Sequence, residues 1–383
     1  NMAATAQARG DYDTALDYFQ QSLKIMQAIG DKAGEGTTLN NMATTAHARG
    51  DYDTALDYLQ QSLKIQQEID DKAGEGATLN NMATTAHARG DYDTALDYLQ
   101  QSLEIRQAIG DKAGEGTTLN NISQIFQARG DYDTALDYLQ QALEIQQEIG
   151  DKAGEGTTLN NMATTAHARG DYNTALDYLQ QALKICQEIG DKAGEGRTLN
   201  NISQIFTARG DYDTALDYLQ QALKIWQEIG NKAGEGATLN NISQIFQARG
   251  DYDTALDYLQ QSLKIRQAIG DKAGEGATLN NISQIFTARG DYDTALDYLQ
   301  QALEIQQEIG DTAGLCATLF NIGHIHWQND EQQQALLAWV TVYVLARRLG
   351  LAQALQALEG LARQLGLPGL AGWEDVVQRI TQG

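Results

Sequence analysis

The sequence predicts an all-α solenoid built from one pair of helices that is copied along the chain. A unit of 40 residues recurs without insertion or deletion from Asn1 to about Gly310. Within it a Gly-Asp pair, or a close substitute, returns every 20 residues, and one proline accompanies 37 glycines. Glycine closes a helix in the left-handed conformation and Asp caps the next helix, whereas proline would interrupt both. Each unit is therefore expected to read helix, tight turn, helix, tight turn.

The first helix of the unit is predicted to pack by an apolar face and to keep an uncharged polar face opposite it. In the unit that begins at residue 31 it runs from about Lys32 to Ala48, with Leu39, Met42, Ala43 and Ala46 on the packing arc. Thr, Asn and either His or Gln fill the opposite arc. The two glycines of its Gly-Glu-Gly run cost roughly 1 kcal/mol each against alanine. We expect close approach of the preceding helix to explain them.

The second helix, from Tyr52 to about Ile69, is predicted to carry most of the charge on its outer face. Its apolar arc comprises Tyr52, Ala55, Leu56, Leu59, Ser62, Leu63 and Ile69. Its polar arc comprises Asp53, Asp57, Gln60, Gln61, Lys64, Gln67 and Glu68. Such a helix pair cannot bury its apolar face alone, so neighbouring units must stack to complete the core of a one-dimensional solenoid.

The most variable position of the unit lies near the end of the second helix. It is occupied by Met26, Gln66, Arg106, Gln146, Cys186, Trp226, Arg266 and Gln306. By helical angle the position falls in the apolar arc, but its place near the helix end predicts that it reaches a rim, where variable side chains could select a partner. The competing interpretation is drift at a tolerant site.

Two versions of the first helix occur. The NMATTAH form begins at residues 41, 81 and 161, with a variant at 1, and the NISQIF form begins at 121, 201, 241 and 281. The first form presents Thr and His, and the second presents Gln with bulkier packing residues. One hypothesis is that they divide a groove into two subsites; the other is that duplication propagated two neutral versions.

We divide the chain into a truncated first unit (1–30), seven full units (31–310), a divergent eighth unit (311–349) and C-terminal capping helices (350–383). The array opens at the equivalent of Asn41, which leads us to expect a longer parent protein. At the other end, helices are predicted from Leu351 to Leu367 and from about Gly372 to Ile380. The tryptophans Trp327, Trp339 and Trp373 concentrate in this region. They predict a cap that seals the last repeat.

Composition argues against several classes of protein. With 27 basic and 51 acidic residues the formal net charge is −24, and phosphate backbones require the opposite sign, so nucleic acid is not an expected partner. No apolar run is long enough for a membrane span, and the N-terminus does not resemble a signal peptide. Cys186 and Cys316 are too few for a disulfide scaffold. A cytoplasmic setting is therefore expected.

Catalytic and metal-binding patterns find little support in the sequence. His47, His87 and His167 occupy equivalent positions in different units, and packed helices lie roughly 8–10 Å apart, too far for direct sharing of one ion. Gly-Glu-Gly lacks the Lys and Ser/Thr of a phosphate-binding loop. No nucleophile elbow or dinucleotide fingerprint occurs. We predict no enzymatic activity, no cofactor and no metal site.

The repeat resembles a known family. The pattern Leu-x-Asn-Ile-small-x-x-Phe, followed by Gly-Asp-Tyr-x-x-Ala-Leu-x-Tyr-x-x-x-Ala-Leu, is similar to the tetratricopeptide repeat (TPR), with Gly130, Tyr132, Ala135 and Ala142 at signature positions. The usual unit has about 34 residues, and the 40-residue unit resembles the longer subclass of LGN/Pins adaptors, kinesin light chains and bacterial signalling proteins. The resemblance implies a right-handed superhelix of antiparallel helix pairs.

Two departures from the family pattern concern packing. The signature proline near the end of the second helix is absent, and Ala46, Ala86 and Ala166 stand where an aromatic residue is usual. Units with these alanines are expected to pack less tightly.

The resemblance also implies that the first helices line a concave groove in which Asn side chains hold an extended peptide. The matching pairs are Asn40 and Asn41, Asn80 and Asn81, Asn120 and Asn121, Asn160 and Asn161, Asn200 and Asn201, Asn240 and Asn241, and Asn280 and Asn281. A ladder of amides suits a peptide backbone because an amide donates and accepts at once. Asn40 and its equivalents are the favoured ligand contacts, whereas Asn41 and its equivalents are equally well explained as structural bridges between helices.

Further groove positions complete the predicted site. They are Gln124, Gln204, Gln244, Gln284 and the cation Arg197. We expect a scaffold that binds a protein or peptide segment, with neutral or basic partners favoured by the acidic outer face. The alternatives are a solenoid that self-associates through its repeat ends, and the regulatory or sensor arm of a larger bacterial signalling or defence protein whose N-terminal part is missing.

Overall fold

The structure is a computed structural model that describes residues 2–8 and 12–382, with the side chains of residues 4, 8 and 379–382 left aside. Its twenty helices form consecutive antiparallel pairs. The first helices of the pairs are Met2–Ala8, Lys32–Arg49, Lys72–Ala88, Lys112–Ala128, Lys152–Ala168, Lys192–Ala208, Lys232–Ala248, Lys272–Ala288 and Thr312–Gln328. The second helices are Tyr12–Ile29, Tyr52–Glu68, Tyr92–Ile109, Tyr132–Ile149, Tyr172–Ile189, Tyr212–Glu228, Tyr252–Ala268, Tyr292–Ile309 and Gln332–Leu349. The last pair is Ala352–Gln364 and Leu370–Gln382.

The Gly-Asp pairs close one helix and open the next, as the sequence predicts. Gly150 adopts the left-handed conformation with φ of 71°, and the backbone N of Gly154 donates to Oδ1 of Asp151 at 2.9 Å. Asp70 replaces the usual glycine and takes φ of 58°, a conformation that Asp tolerates better than most residues. These caps satisfy helix-end groups that would otherwise lack partners.

The apolar core is shared between neighbouring repeats. In one cluster Ala46, Ala55 and Leu59 pack against Leu79 and Met82 of the following unit. The same arrangement recurs along the chain, with a fully buried alanine in each cluster at Ala175, Ala215 and Ala255. No unit buries its apolar face by itself, so the stack behaves as a solenoid.

The first helices lie on the concave side of the solenoid. Consecutive first helices contact one another, as Lys112–Ala128 contacts Lys152–Ala168, while the second helices of consecutive repeats, within the described ranges, are held mainly through the first helices between them. The acidic outer arc of the second helices is exposed on the convex side, as at Asp57 and Asp97. No helix in the described part of the chain is long and apolar enough to cross a membrane.

The spiral winds far enough for its second turn to meet its first. A Cβ built on Gly50 would lie 3.2 Å from Cδ1 of Ile309 and 3.5 Å from Cβ of Lys272, and a Cβ on Gly90 would lie 3.1 Å from Cδ2 of Leu351. We call this contact the seam. It joins the turns after first helices near residues 50, 90 and 130 to the turns after second helices near residues 270, 310 and 350.

The C-terminal helices cover the last repeat and extend the seam. The indole N–H of Trp339 donates to the carbonyl oxygen of Phe320 at 3.1 Å, and that of Trp373 donates to the carbonyl oxygen of Leu358 at 2.9 Å. Both rings are fully buried, whereas Trp327 is partly exposed. Their cluster is continuous with the core of the second and third full units because the seam brings the two regions together.

Candidate functional site: the groove along the first helices

Three positions, one helical turn apart, form the accessible strip of each first helix. In the helix Lys192–Ala208 they are Arg197, Asn201 and Gln204, of which the first and third are exposed and the second is half-exposed. In the other full units the strip consists of Thr or Ala, then Asn, then Thr or Gln. We call it the groove strip. It is uncharged except at Arg197, in contrast to the acidic convex face.

Asn40 and its equivalents do not belong to this strip, because their side chains point between repeats. The amide nitrogen of Asn160 donates to Oγ1 of Thr198 in the next unit at 2.8 Å and to the carbonyl oxygen of Gly156 at 3.0 Å. Asn120 does the same with Thr158 at 2.7 Å, and Asn280 with Thr318 at 2.6 Å. Members of the set are buried or nearly so: Asn40, Asn80, Asn120, Asn160, Asn200, Asn240 and Asn280.

Asn41 and its equivalents extend this network from the accessible side. The amide nitrogen of Asn121 donates to Oδ1 of Asn80 at 3.1 Å, and that of Asn201 donates to Oδ1 of Asn160 at 3.1 Å. The corresponding bonds are made by Asn81, Asn161 and Asn281. The set is half-exposed at Asn81, Asn121, Asn161, Asn201, Asn241 and Asn281, and exposed at Asn41.

The order of preference drawn from the sequence is therefore reversed. The Asn40 position was favoured for ligand contact, but its amide is committed to the next repeat. The Asn41 position was explained equally well as a structural bridge between helices. It makes that bridge with one amide hydrogen and also presents its side chain to the groove. The sequence could not separate the two because the angle between adjacent helical positions does not reveal where the next repeat sits.

The glutamines of the groove strip differ in their surroundings. Gln204 and Gln244 are exposed and line a cavity of about 300 Å³ together with Ser203, Asn241 and His167. Gln124 is half-buried. Gln284 instead lines a cavity of about 360 Å³ at the seam, with Cys316 and Leu351, so its surroundings include the C-terminal cap.

The two versions of the first helix shape the groove differently. Between the two NMATTAH units that contain Thr44 and Thr84, the groove cavity is about 60 Å³, against about 300 Å³ around Gln204 and Gln244. In the NISQIF form Phe206 stacks on Tyr218 with centroids 5.6 Å apart. In the NMATTAH form an alanine takes that place. The larger cavity therefore belongs to the half of the groove that presents glutamine.

We expected the variable position of the second helix to reach a rim, but its side chain lies between repeats. It is half-buried at Met26 and Arg266 and buried in the other units. Gln66 accepts a hydrogen bond from Thr78 of the next unit at 2.6 Å, and Arg106 pairs with Asp111. The sequence interpretation failed because the glycines of the facing helices leave room for a long side chain there. A Cβ on Gly234 would lie 2.5 Å from Cδ2 of Trp226, which accounts for one of the two glycines of this run as predicted.

Burial dominates the protonation of His47 and of Cys316. Burial lowers the pKa of His47 below its usual value, and its ring packs on Tyr52 with centroids 5.3 Å apart. Burial, aided by Asp311, raises the pKa of Cys316 to about 12. Among the described residues no group of three His, Cys, Asp or Glu side chains is arranged to hold a metal ion.

Ion pairs reinforce the turns that follow the first helices. Arg89 pairs with Asp53 of the preceding second helix at 2.9 Å, and Arg169 pairs with Asp133 at 3.0 Å. At one junction the acid is replaced, and Arg209 donates to Oδ1 of Asn173 at 2.7 Å. These exposed contacts contribute at most about 1 kcal/mol each. The paired arginines lie at the turns, so Arg197 remains the cation of the groove strip.

Solved structures with the same architecture are available for comparison. A Rap protein complexed with competence and sporulation factor aligns with a TM-score of 0.59 at 16% identity, over 91% of this chain and 96% of that chain. Aspartyl phosphate phosphatase F from Bacillus subtilis gives 0.55 at 16% identity, over 90% and 94%. A STAND protein with a tetratricopeptide repeat sensor from Pyrococcus horikoshii gives 0.52 at 17% identity, over 89% and 54%. At these identities the likeness shows the fold alone.

Comparison of sequences leads to the family. No curated protein matches the chain. The family model described as tetratricopeptide repeat matches residues 1–68, 74–148, 154–228, 195–268, 234–308 and 274–338. These matches span most of the sequence and follow the helix pairs. The chain therefore belongs to the tetratricopeptide repeat family.

Proposed function

We propose that this array binds an extended segment of a partner protein along the groove strip. Tetratricopeptide repeats are in general protein-interaction modules rather than catalysts. The observation that supports the proposal most directly is the series of half-exposed amides from Asn81 to Asn281. Five of them are fixed by a bond to the preceding repeat: Asn81, Asn121, Asn161, Asn201 and Asn281. Fixed amides lose little conformational entropy when they bind, and each can pair with a peptide group.

The chemistry of the groove limits the class of segment. A strip of amides and hydroxyls suits a backbone with small or neutral side chains, and the acidic convex face favours approach of a neutral or basic partner. Arg197 is exposed and lies one turn from Asn201. It would bind a single carboxylate of the segment, from a side chain or the chain end. The cavity beside Gln204 and Gln244 has room for one larger side chain.

The test is peptide selection on the intact array, followed by affinity measurement with variants. The groove variant carries Asn201→Ala, Gln204→Ala, Asn241→Ala and Gln244→Ala. The matched control carries Gln180→Ala, Gln181→Ala, Gln220→Ala and Gln221→Ala on the exposed convex face. We expect selected peptides to lose at least about tenfold in affinity on the groove variant and to bind the control normally. Equal binding to both variants would place recognition elsewhere.

A second candidate is a sensor arm within a larger protein. The STAND protein above is described as carrying a tetratricopeptide repeat sensor, and its array shares this fold. The same groove would then bind the signal rather than a stable partner. Sequencing the gene that encodes this chain separates the two, because an attached effector domain supports the sensor arm and its absence supports the scaffold.

A further inference from the structure

We propose that a second copy of this chain docks on the free edges of the spiral. The contact between the two chains then reproduces the seam that one chain makes with itself. Two edges are involved. The Ile edge consists of the turns after second helices, with Ile109, Ile149, Ile189 and Ile229 at their tips. The Gly-Asp edge consists of the turns after first helices from Ala168 to Asp171, Ala208 to Asp211, Ala248 to Asp251 and Ala288 to Asp291.

Within one chain the two edges already pair. Ile309 meets Gly50, and the equivalent residue Ile269 is likewise covered, so that these side chains are 4% and 6% exposed. On the other side of the seam Tyr52 and Tyr92, which follow the Gly-Asp pairs, are buried at 7% and 8% exposure. The pairing therefore has an apolar centre and a definite register, with the carboxylates of Asp271 and Asp311 near Tyr52.

The same residues stand unpaired elsewhere in the chain. Ile149, Ile189 and Ile229 are 41%, 42% and 42% exposed, although Ile-Gly-Asp-Lys at 149–152 and 189–192 is identical to the segment at 269–272. Gly210 and Gly250 are exposed, whereas the equivalent Gly50 and Gly90 are buried. Each free edge thus carries the same kinds of residue as one side of the seam.

Geometry favours another copy of this chain over an unrelated partner. The free Ile edge lies in the earlier repeats and the free Gly-Asp edge in the later ones, so the Ile edge of one copy fits the Gly-Asp edge of the next. Such a contact is heterologous and does not close, and copies would add along the spiral axis. The net charge of −24 opposes the approach of two copies, so association should strengthen as salt screens it.

Sedimentation velocity of the whole chain, over a range of protein and salt concentrations, tests the proposal. We expect the wild type to form dimers and longer species as either concentration rises. The Ile-edge variant, with Ile149→Asp, Ile189→Asp and Ile229→Asp, should raise the dissociation constant at least about tenfold. The control with Gln180→Asp, Gln220→Asp and Gln260→Asp adds the same charge to the convex face and should associate more readily than the Ile-edge variant.

A mixing experiment distinguishes this contact from general stickiness. A Gly-Asp-edge variant carries Ala248→Glu and Ala288→Glu at exposed positions. At concentrations where each variant alone is monomeric, a mixture should form dimers and nothing longer, because one intact edge of each kind remains. Circular dichroism confirms that both variants fold. A monomeric wild type at every concentration, or a mixture that stays monomeric, would overturn the proposal. No groove-strip residue is changed, so the outcome is independent of peptide binding.

Discussion

The indole of Trp226 covers Gly196, and its Cε2 atom lies 2.8 Å from the place where a Cβ would stand. In the preceding unit the equivalent Gly156 has ordinary distances of 3.5 Å to Ile185 and 3.6 Å to Cys186. Two glycines at the same repeat position therefore have different reasons to be glycine. One is required by its neighbour, and the other has space for a methyl group.

Alanine substitution should separate these two glycines. Gly156→Ala is expected to leave stability unchanged or to raise it by up to about 1 kcal/mol, since alanine favours the helix. Gly196→Ala should destabilise by about 1–3 kcal/mol through overpacking against Trp226. Urea midpoints of the two variants measure the difference.

A double variant supplies the control for this pair. Adding Trp226→Gln, the residue found at the equivalent Gln66 and Gln306, should remove the penalty of Gly196→Ala. Buried Trp226 Nε1 finds no acceptor among the described residues, so a glutamine there also gains the chance to bond Thr238. If Gly196→Ala and Gly156→Ala shift the midpoint equally, the packing argument is wrong.

The two asparagines of a pair should differ in their contribution to stability. Asn160 is 4% exposed, and Asn160→Ala removes the partner of both Thr198 and Asn201. A loss of about 1–3 kcal/mol is expected, because buried polar groups are left unsatisfied. Asn161→Ala breaks one half-exposed bond to Asn120 and should lose about 1 kcal/mol or less.

Chemical denaturation of the two variants decides the matter, and the result guides binding studies. Groove tests should use the Asn161 position, because losses at the Asn160 position would mix unfolding with binding. Similar destabilisation by both substitutions would contradict the division into buried and accessible amides.

The seam should weaken at high pH. Burial, with Asp311 and Asp271 nearby, raises the pKa of Tyr52 from its ordinary 10.0 to about 12. The folded chain therefore holds this phenolic proton more tightly than the unfolded chain, so the associated stability is present below pH 10 and is lost as pH rises through 12. In Tyr52→Phe the fall in stability between those values should be smaller.

Two measurements check this pH dependence. Absorbance at alkaline pH should show that Tyr52→Phe lacks a tyrosine component that titrates near pH 12. Denaturation at pH 9 and pH 11 gives the change in stability, with Tyr212→Phe as the control at the matched position outside the seam. A Tyr52→Phe variant whose pH dependence equals that of the wild type would refute the assignment.

The rate at which Cys316 reacts with a disulfide reagent should report opening of the seam. Cys186 and Cys316 are both buried, and burial raises the pKa of each, so both should react slowly with a disulfide reagent at neutral pH. Leu351 lines the seam cavity beside Cys316. In a Cys186→Gln background, Leu351→Asp should accelerate modification of Cys316 by about tenfold or more.

Cys186 provides the internal control for this experiment. It lies between repeats and away from the seam, so in a Cys316→Ala background Leu351→Asp should leave its rate unchanged. Parallel acceleration of both thiols would indicate general unfolding rather than local opening.

Much of the fold follows from residues that act locally. The Gly-Asp pairs predicted the helix ends to within about one residue in the repeats. The reason is that the Asp at each cap accepts a hydrogen bond from a backbone N three residues later, as Asp151 does from Gly154. The alternation of apolar and polar arcs assigned Leu59 and Ala55 to the core correctly. The terminal helices were less well bounded, and the last one begins at Leu370 rather than Gly372.

The errors fall where a neighbouring repeat decides the environment. Residue 66 was expected at a rim, yet Gly74 and Thr78 of the next unit enclose it. Asn40 was expected in the groove, yet Thr78 receives its amide. In both cases the helical angle gave the direction of the side chain from its own helix. The distance to the next repeat remained unknown.

By itself the sequence determined a helix-pair solenoid, its family and a polar strip on the first helices that is uncharged except at Arg197. It could do so because capping, periodicity and repeat length act within one unit or between adjacent ones. The tertiary structure decided which asparagine faces the groove and where the spiral meets itself. The exposures of Ile189 and Ile269 differ although their turns read alike. Small rotations between identical repeats add up over a full turn of the spiral, and no single repeat encodes where that sum brings two edges together.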